Sequence, residues 1–262
     1  MNKHNHWPRL SASFVHGRNL LISFVFIMAV FGGMTMKSEA EEQTTLTYIA
    51  LGDSLTMGIG ASETDYLRMN AFVPQLTAYL RKNFDVYVEN HGMPGITSAE
   101  LLDYVRHHPG MDRLLRGADV LTLTIGGNDL LQLLNRDALN EETIEQTVEQ
   151  FGELFEQIIV EIRQHQPNAP IYVLELYSPY DKRHALHKIG QTTVQTYNDE
   201  LARRIQKLNN VFQVKIFKAF QGKEAQWTHI DHNDVHPNDE GYAAIFEAFQ
   251  KLLRLDALTN HS

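Results

Sequence analysis

Short apolar runs rich in β-branched residues alternate with longer segments of helical period along most of this chain. A strand buried in a parallel sheet is a brief, nearly continuous apolar run, whereas a covering helix carries its apolar side chains on one stripe. Their alternation favours an α/β domain with a parallel sheet between two helix layers. We predict five strands, at Thr47–Leu51, Val86–Glu89, Val120–Ile125, Ile171–Leu176 and Val211–Phe217.

Three longer segments between and after these strands have the apolar spacing of helices that dock on a sheet. We predict helices over Glu141–Gln164, Leu186–Leu208 and Asp239–Leu255. No repeat, low-complexity tract or interdomain linker interrupts the pattern, so residues 41–262 are expected to form one domain.

The first 40 residues have the composition of an export segment. Residues 20–36 carry no charge and are mostly apolar, basic residues precede them, and Ser38-Glu39-Ala40 follows as a small-x-small cleavage pattern. We therefore predict a signal peptide at residues 1–40. The alternative is an uncleaved membrane anchor at residues 20–36, and either route places the domain outside the cell or on its surface.

Charge and cysteine content exclude several classes of protein. The formal net charge is −9, which disfavours nucleic acid as a partner because affinity for a phosphate backbone requires clustered Lys and Arg. The chain has no cysteine, which excludes disulfides, a thiol nucleophile and thiolate zinc sites. These counts leave small-molecule, lipid or polysaccharide ligands open.

A serine follows the first predicted strand directly, in Gly52-Asp53-Ser54-Leu55-Thr56. Open parallel sheets bind ligands at the carboxyl ends of their strands, so Ser54 is placed where a nucleophile can meet a substrate. By itself this motif is equally compatible with an ordinary turn and helix cap.

Two further motifs follow the second and third predicted strands. They are Asn90-His91-Gly92-Met93-Pro94-Gly95 and Gly126-Gly127-Asn128-Asp129. A glycine N–H and an asparagine amide can donate hydrogen bonds to the oxyanion of an acyl-transfer intermediate, and Gly92 and Asn128 are the candidates. The alternative is that these residues only permit left-handed turns.

The fourth motif, Asn233-Asp234-Val235-His236-Pro237, precedes the last predicted helix. A neutral imidazole can accept a serine proton and return it to a leaving alcohol, so His236 is the candidate base.

These four ordered motifs resemble those of the SGNH hydrolases, also called GDSL esterases and lipases, over about Thr47 to Tyr242. The chain resembles the small secreted or surface-attached acylhydrolase branch of Gram-positive bacteria. The resemblance implies a flavodoxin-like three-layer α/β/α fold and ester hydrolysis without a metal or organic cofactor. It also implies Ser54 as nucleophile, an oxyanion hole from Ser54, Gly92 and Asn128, and His236 as base.

The sequence departs from the family at the third member of the triad. The family normally has Asp three residues before the catalytic His, whereas this chain has Asn233 there, followed by Asp234 and preceded by Asp231. An amide can orient the imidazole but cannot stabilise imidazolium as a carboxylate does. We favour Asp234 over Asn233 as the charged partner.

Two other functions are weighed against a serine esterase. The segment His229–His236 is dense in metal-ligand types and suggests a metal-dependent hydrolase, although its spacing matches no common zinc motif. Asn233 suggests a surface binding module that keeps the fold without turnover.

The sequence does not distinguish between a small-molecule, a lipid and an acylated-polysaccharide ester as the substrate. Tyr66, Leu67 and Met69 are either an acyl wall or packing residues. The predicted helix Leu186–Leu208 and its preceding loop are either a second rim of the site or a solvated segment; the loop carries Tyr177, Tyr180, Lys182 and Arg183.

Overall fold

A computed structural model describes residues 43–64, 66–136 and 138–258. Its strands are β1 (Thr45–Gly52), β2 (Asp85–Gly92), β3 (Val120–Thr124), β4 (Ile171–Leu174) and β5 (Val211–Val214). They form one parallel sheet in the order β2-β1-β3-β4-β5. This order is the flavodoxin-like one, so the predicted α/β fold with five parallel strands is confirmed.

The helices lie between and after the strands. They are α1 (Ser54–Met57), α2 (Phe72–Leu80), α3 (Ser98–His107), α4 (Met111–Arg116), α5 (Gly127–Asn135), α6 (Glu141–His165), α7 (His187–Ile205), α8 (Phe217–Phe220), α9 (Glu224–Trp227), α10 (Asp239–Leu252) and α11 (Leu255–Leu258), with a 3-10 turn at Ile230–His232. The three long helices predicted from apolar spacing are α6, α7 and α10.

The sheet separates two apolar cores. Along β1, Ile49 and Leu51 point into one core while Tyr48 and Ala50 point into the other, as the two-residue period of a strand requires. Helices α3, α4, α6 and α7 cover the first core, and α2 and α10 cover the second. Because each fully buried Leu or Ile contributes about 1.5–3 kcal/mol, the two cores hold the carboxyl edge of the sheet in place.

Three strands end earlier than predicted: β3 ends one residue early, at Thr124, and β4 and β5 end two and three residues early. The ladder stops at Leu174 and Val214, not at Leu176 and Phe217. Beyond these points the Glu175 carboxylate accepts the backbone N–H groups of Ile216 at 2.7 Å and Phe217 at 2.9 Å. After β4, the Asn198 side chain binds both the N–H and the carbonyl oxygen of Leu176, each at 2.9 Å. These backbone groups bond side chains instead of a neighbouring strand, so the strands are shorter than their apolar runs.

The predicted export segment at residues 1–40 lies outside the described residues. Within residues 43–64, 66–136 and 138–258, no helix has both the length and the apolar character to cross a bilayer.

Candidate active site

Ser54 is the first residue of α1 and lies directly beyond β1. Asp53 caps this helix, since its Oδ1 accepts the Leu55 N–H at 3.0 Å. The same oxygen accepts the Thr124 hydroxyl, from the end of β3, at 2.7 Å. Burial raises the pKa of the Asp53 carboxyl, although these hydrogen bonds oppose the shift. The short helix that carries Ser54 is thus tied to the neighbouring strand.

Ser54, His236 and Asp234 form a continuous chain of hydrogen bonds. His236 Nε2 lies 2.8 Å from Ser54 Oγ, although the two residues are 182 positions apart in the sequence. On the other side of the ring, His236 Nδ1 lies 2.5 Å from Asp234 Oδ1. Burial by itself raises the pKa of Asp234, but the hydrogen bonds from His236 outweigh it and hold that pKa below its ordinary value. An ionised carboxylate therefore faces the imidazole.

The other two candidates for the third position lie elsewhere. Asn233 ends the 3-10 turn in the left-handed region, at φ 57°, and its backbone N–H is bonded to Ile230 O. Asp231 is exposed and its Oδ1 lies 3.3 Å from Arg183 Nη2. Of the three, only Asp234 reaches the His236 ring in the described part of the chain.

The loop that carries Asp234 and His236 is held from two sides. His229 Nε2–H donates to Gly60 O at 2.8 Å, and the His229 N–H donates to His236 O at 3.0 Å. The Tyr177 hydroxyl, which follows β4, donates to Val235 O at 2.7 Å. Sequence reasoning missed His229 and Tyr177 as supports because both act through backbone carbonyls that no motif reveals.

Asn128 lies at the start of α5, beside the serine. Its Nδ2 donates to Ile96 O at 2.8 Å, which leaves the second amide hydrogen available. The next residue, Asp129, accepts the Ser98 N–H and hydroxyl, each at 3.1 Å. These bonds join the start of α5 to the loop after β2.

The structure argues against Gly92 as an oxyanion donor. Its N–H donates to Asn90 Oδ1 at 2.9 Å, and Gly92 packs so closely on α1 that a Cβ there would lie 2.2 Å from Met57 N. Gly92 does not line the cavity beside Ser54. We correct this prediction: its N–H is already engaged within the protein.

Gly95, three residues later, lies beside the cavity at which Gly92 was expected. It lines the cavity together with Ser54 and Asn128. It adopts φ 83°, and its N–H has no acceptor among the described residues. The sequence signal that could have found it is the pair Pro94-Gly95, which favours a turn whose second central residue has positive φ.

The cavity beside Ser54 and His236 has a volume of about 410 Å³. Tyr177 and Tyr180 line it, so the loop after β4 forms a rim, whereas Lys182 and Arg183 are exposed and do not line it. The three residues predicted as a possible acyl wall do not line it: the exposed fractions of Tyr66, Leu67 and Met69 are 95%, 58% and 57%. Those three residues are neither an acyl wall nor packing residues.

Three potential metal ligands in the His229–His236 segment are engaged by other groups of the protein. His229 donates to a backbone carbonyl, Asp231 pairs with Arg183, and Asp234 binds His236. Among the residues placed by the structure, no group of three or more His, Asp or Glu side chains is arranged to hold a metal ion.

Comparisons with known proteins identify the family of this chain. The sequence profile of the GDSL-like Lipase/Acylhydrolase family matches residues 50–244. The uncharacterized protein YpmR of Bacillus subtilis is 26% identical over 232 residues, which cover 85% of this chain and 88% of YpmR. The spore germination lipase LipC of Bacillus licheniformis is also 26% identical, over 78% of this chain and 94% of the lipase.

A solved structure is similar as well. The lipase Lip_vut3 from a goat rumen metagenome has a TM-score of 0.65 and 25% identity, over 79% of this chain and 96% of that chain. The profile match spans most of the domain, and the resemblance predicted from the four motifs is confirmed. The chain therefore belongs to the GDSL-like lipase/acylhydrolase family and is an ester hydrolase.

Proposed function

We propose that this protein cleaves carboxylic esters through an acyl-enzyme on Ser54. The observation that carries the proposal is the chain of hydrogen bonds from Ser54 Oγ through His236 to Asp234. A serine hydroxyl is a weak nucleophile unless an adjacent base removes its proton, and an imidazole held in one tautomer by a carboxylate supplies that base.

In the first half of the reaction, Ser54 Oγ attacks the ester carbonyl carbon while His236 Nε2 accepts the hydroxyl proton. The carbonyl π electrons move to oxygen and give a tetrahedral oxyanion. When the intermediate collapses, the bond to the alkoxy oxygen breaks and His236 returns its proton to that oxygen. The products are an alcohol and an acyl group on Ser54.

In the second half, water takes the place of the alcohol. His236 removes a proton from water, the resulting hydroxide attacks the acyl carbon, and the proton passes to Ser54 Oγ as the acid leaves. Asp234 stays ionised throughout and stabilises the imidazolium that forms in each half.

For the oxyanion we propose three donors: the backbone N–H groups of Ser54 and Gly95 and the side-chain amide of Asn128. All three residues line the same cavity. Asn128 Nδ2 bonds Ile96 O, directly after Gly95, so the two donors outside α1 are held together. Donors fixed before the reaction need no reorganisation as charge develops.

Single-turnover and steady-state hydrolysis of nitrophenyl acetate tests this function. The wild type should release a burst of nitrophenol equal to the enzyme concentration whenever deacylation is slower than acylation. Ser54→Ala should lose both burst and turnover, with an unchanged melting temperature. Turnover by Ser54→Ala at the wild-type rate would refute the proposal.

We further propose that residues 1–40 direct export. The support is the uncharged stretch 20–36 followed by Ser38-Glu39-Ala40. Expression of the full chain in a Gram-positive host should yield protein outside the membrane that begins at Glu41, or full-length protein bound to it. Full-length protein confined to the cytoplasm would contradict export by either route.

A further inference from the structure

The cavity beside Ser54 has an apolar interior built from two helices. Its volume of about 410 Å³ is within the range of small-ligand sites. One wall comes from α5 and the other from the first half of α7. The residues that form these walls are Leu130, Leu131 and Leu134 on α5, and Leu186, Ile189 and Val194 at or near the start of α7. We call this part of the cavity the leucine pocket.

We propose that the leucine pocket binds the acyl chain of the ester and makes acyl groups of about eight carbons better substrates than acetyl groups. This inference rests on the proposed function and names the substrate class of the same site. Several of its side chains, including Leu130, Leu131 and Leu134, are only half-buried although they face a cavity. Covering such apolar surface is favourable, and a hydrocarbon chain is the ligand that does so without leaving polar groups unpaired.

The length of the pocket follows from α5. Asn128, the proposed oxyanion donor, and Leu134 both line the cavity and are six residues apart on one helix. At 1.5 Å per residue, the wall extends about 9 Å beyond Asn128. An extended chain advances about 1.2 Å per bond, so about seven bonds fit between the carbonyl carbon and Leu134. Leu139, which follows α5, lines the same cavity.

The position of His236 indicates which half of the ester enters. The leaving alkoxy oxygen must lie near His236 Nε2, which returns a proton to it. The leucines instead follow Asn128, the proposed donor to the carbonyl oxygen, on the same helix. The proposal therefore places the acyl chain, which stays on the carbonyl carbon, along α5.

A series of soluble nitrophenyl esters from acetyl to dodecanoyl tests the inference. For the full chain, kcat/KM should rise by up to about fourfold for each added methylene, because each buries one CH2 group. The rise should stop at about eight carbons, where the wall formed by Leu134 and Leu139 ends. A flat profile, or one with its maximum at acetyl, would overturn the inference.

Two substitutions at Leu134 test the wall itself. Leu134→Trp should lower the ratio of octanoyl to acetyl turnover by at least about tenfold, because the larger ring fills the far end. Leu134→Ala should move the maximum of kcat/KM toward the dodecanoyl ester. It provides the test if Leu134→Trp does not fold. Leu67→Trp, at an exposed leucine outside the cavity, is the matched control and should leave the profile unchanged. An unchanged profile in both Leu134 variants would contradict the assignment.

Two esters of equal size separate the acyl side from the alcohol side. Ethyl octanoate should be hydrolysed faster than octyl acetate, and the reverse preference would place the alcohol in the pocket and overturn the proposal. Ser54→Ala assayed on both esters distinguishes a failure of the proposed function from a failure of the pocket inference. If Ser54→Ala keeps wild-type turnover, the proposed function fails. If Ser54→Ala is inactive while the wild type hydrolyses esters of all acyl-chain lengths at the same rate, only the pocket inference fails.

Discussion

Asp234 binds His236 twice although only one residue separates them. Its Oδ1 accepts the His236 backbone N–H at 3.0 Å and lies 2.5 Å from the Nδ1 atom of the same residue. Asn233 precedes it in the left-handed region, which turns the chain so that the next side chain faces the imidazole. The carboxylate that faces the imidazole therefore lies two residues before the histidine, whereas the family normally has it three residues before.

Replacing Asp234 by Ala should lower kcat on a soluble nitrophenyl ester by a factor on the order of 10⁴, since the imidazolium loses its counter-charge and its fixed tautomer. The measurement is steady-state kinetics together with the melting temperature.

Asn233→Ala is the matched comparison and should lower kcat far less, because the Asn233 side chain does not contact the ring. Asn233→Gly should be milder still, since glycine adopts a positive φ without strain. If Asn233→Ala damaged turnover more than Asp234→Ala, the role would return to residue 233.

Asn128→Ala should reduce kcat by about 10²–10³, the usual effect of removing one oxyanion donor, with a smaller change in KM. Asn209→Ala, at an exposed position outside the cavity, is the control and should behave as the wild type. Full activity of Asn128→Ala would show that this amide does not contact the oxyanion.

Gly92 and Gly95 should respond differently to alanine. A Cβ at Gly92 would lie 2.2 Å from the Met57 backbone nitrogen, so Gly92→Ala should displace α1 and lower the melting temperature strongly. At Gly95 no atom lies within 4 Å of the added Cβ, so the penalty is the left-handed backbone alone, about 1–2 kcal/mol. Thermal unfolding of both variants checks this ranking, and greater damage from Gly95→Ala would contradict the packing described for the two loops.

Asp53→Asn should stabilise the protein near neutral pH. Burial raises the pKa of Asp53 in the folded state, so the folded state holds this proton more tightly than the unfolded state does. The group's contribution to stability is therefore greatest below its ordinary pKa and is lost as pH rises through the raised value. Asn keeps a cap acceptor and does not ionise. Melting temperatures from about pH 4 to about pH 8 should fall less steeply in the variant. If the melting temperature of the variant fell with pH as steeply as that of the wild type, the raised pKa of Asp53 would be contradicted.

The sequence predicted the layers of the fold better than the ends of its elements. Alternating apolar runs identify a buried parallel strand wherever it lies, so all five strands were found. The ends of β4 and β5 depend on side chains: Asn198 binds the Leu176 backbone after β4, and the Glu175 carboxylate binds backbone N–H groups after β5. No local pattern announces such a bond.

In the site, too, the sequence predicted some residues, and the identity of others depends on contacts made in the folded chain. Ser54 lies in a motif at the end of β1 and His236 in a motif before α10, and the fold brings the two together. Gly92 and Gly95 are indistinguishable as residue types, and the choice between them depends on the Asn90 side chain, which engages the Gly92 N–H. The exposure of Tyr66 likewise reflects the path of a loop and not its composition.

The most direct test of the account is the site of covalent labelling by a fluorophosphonate, located by peptide mass spectrometry on the full chain. We expect one adduct, on Ser54, which forms with loss of esterase activity and forms much more slowly in Asp234→Ala. An adduct on another residue, or an enzyme that is fully labelled at Ser54 yet still hydrolyses esters, would contradict it.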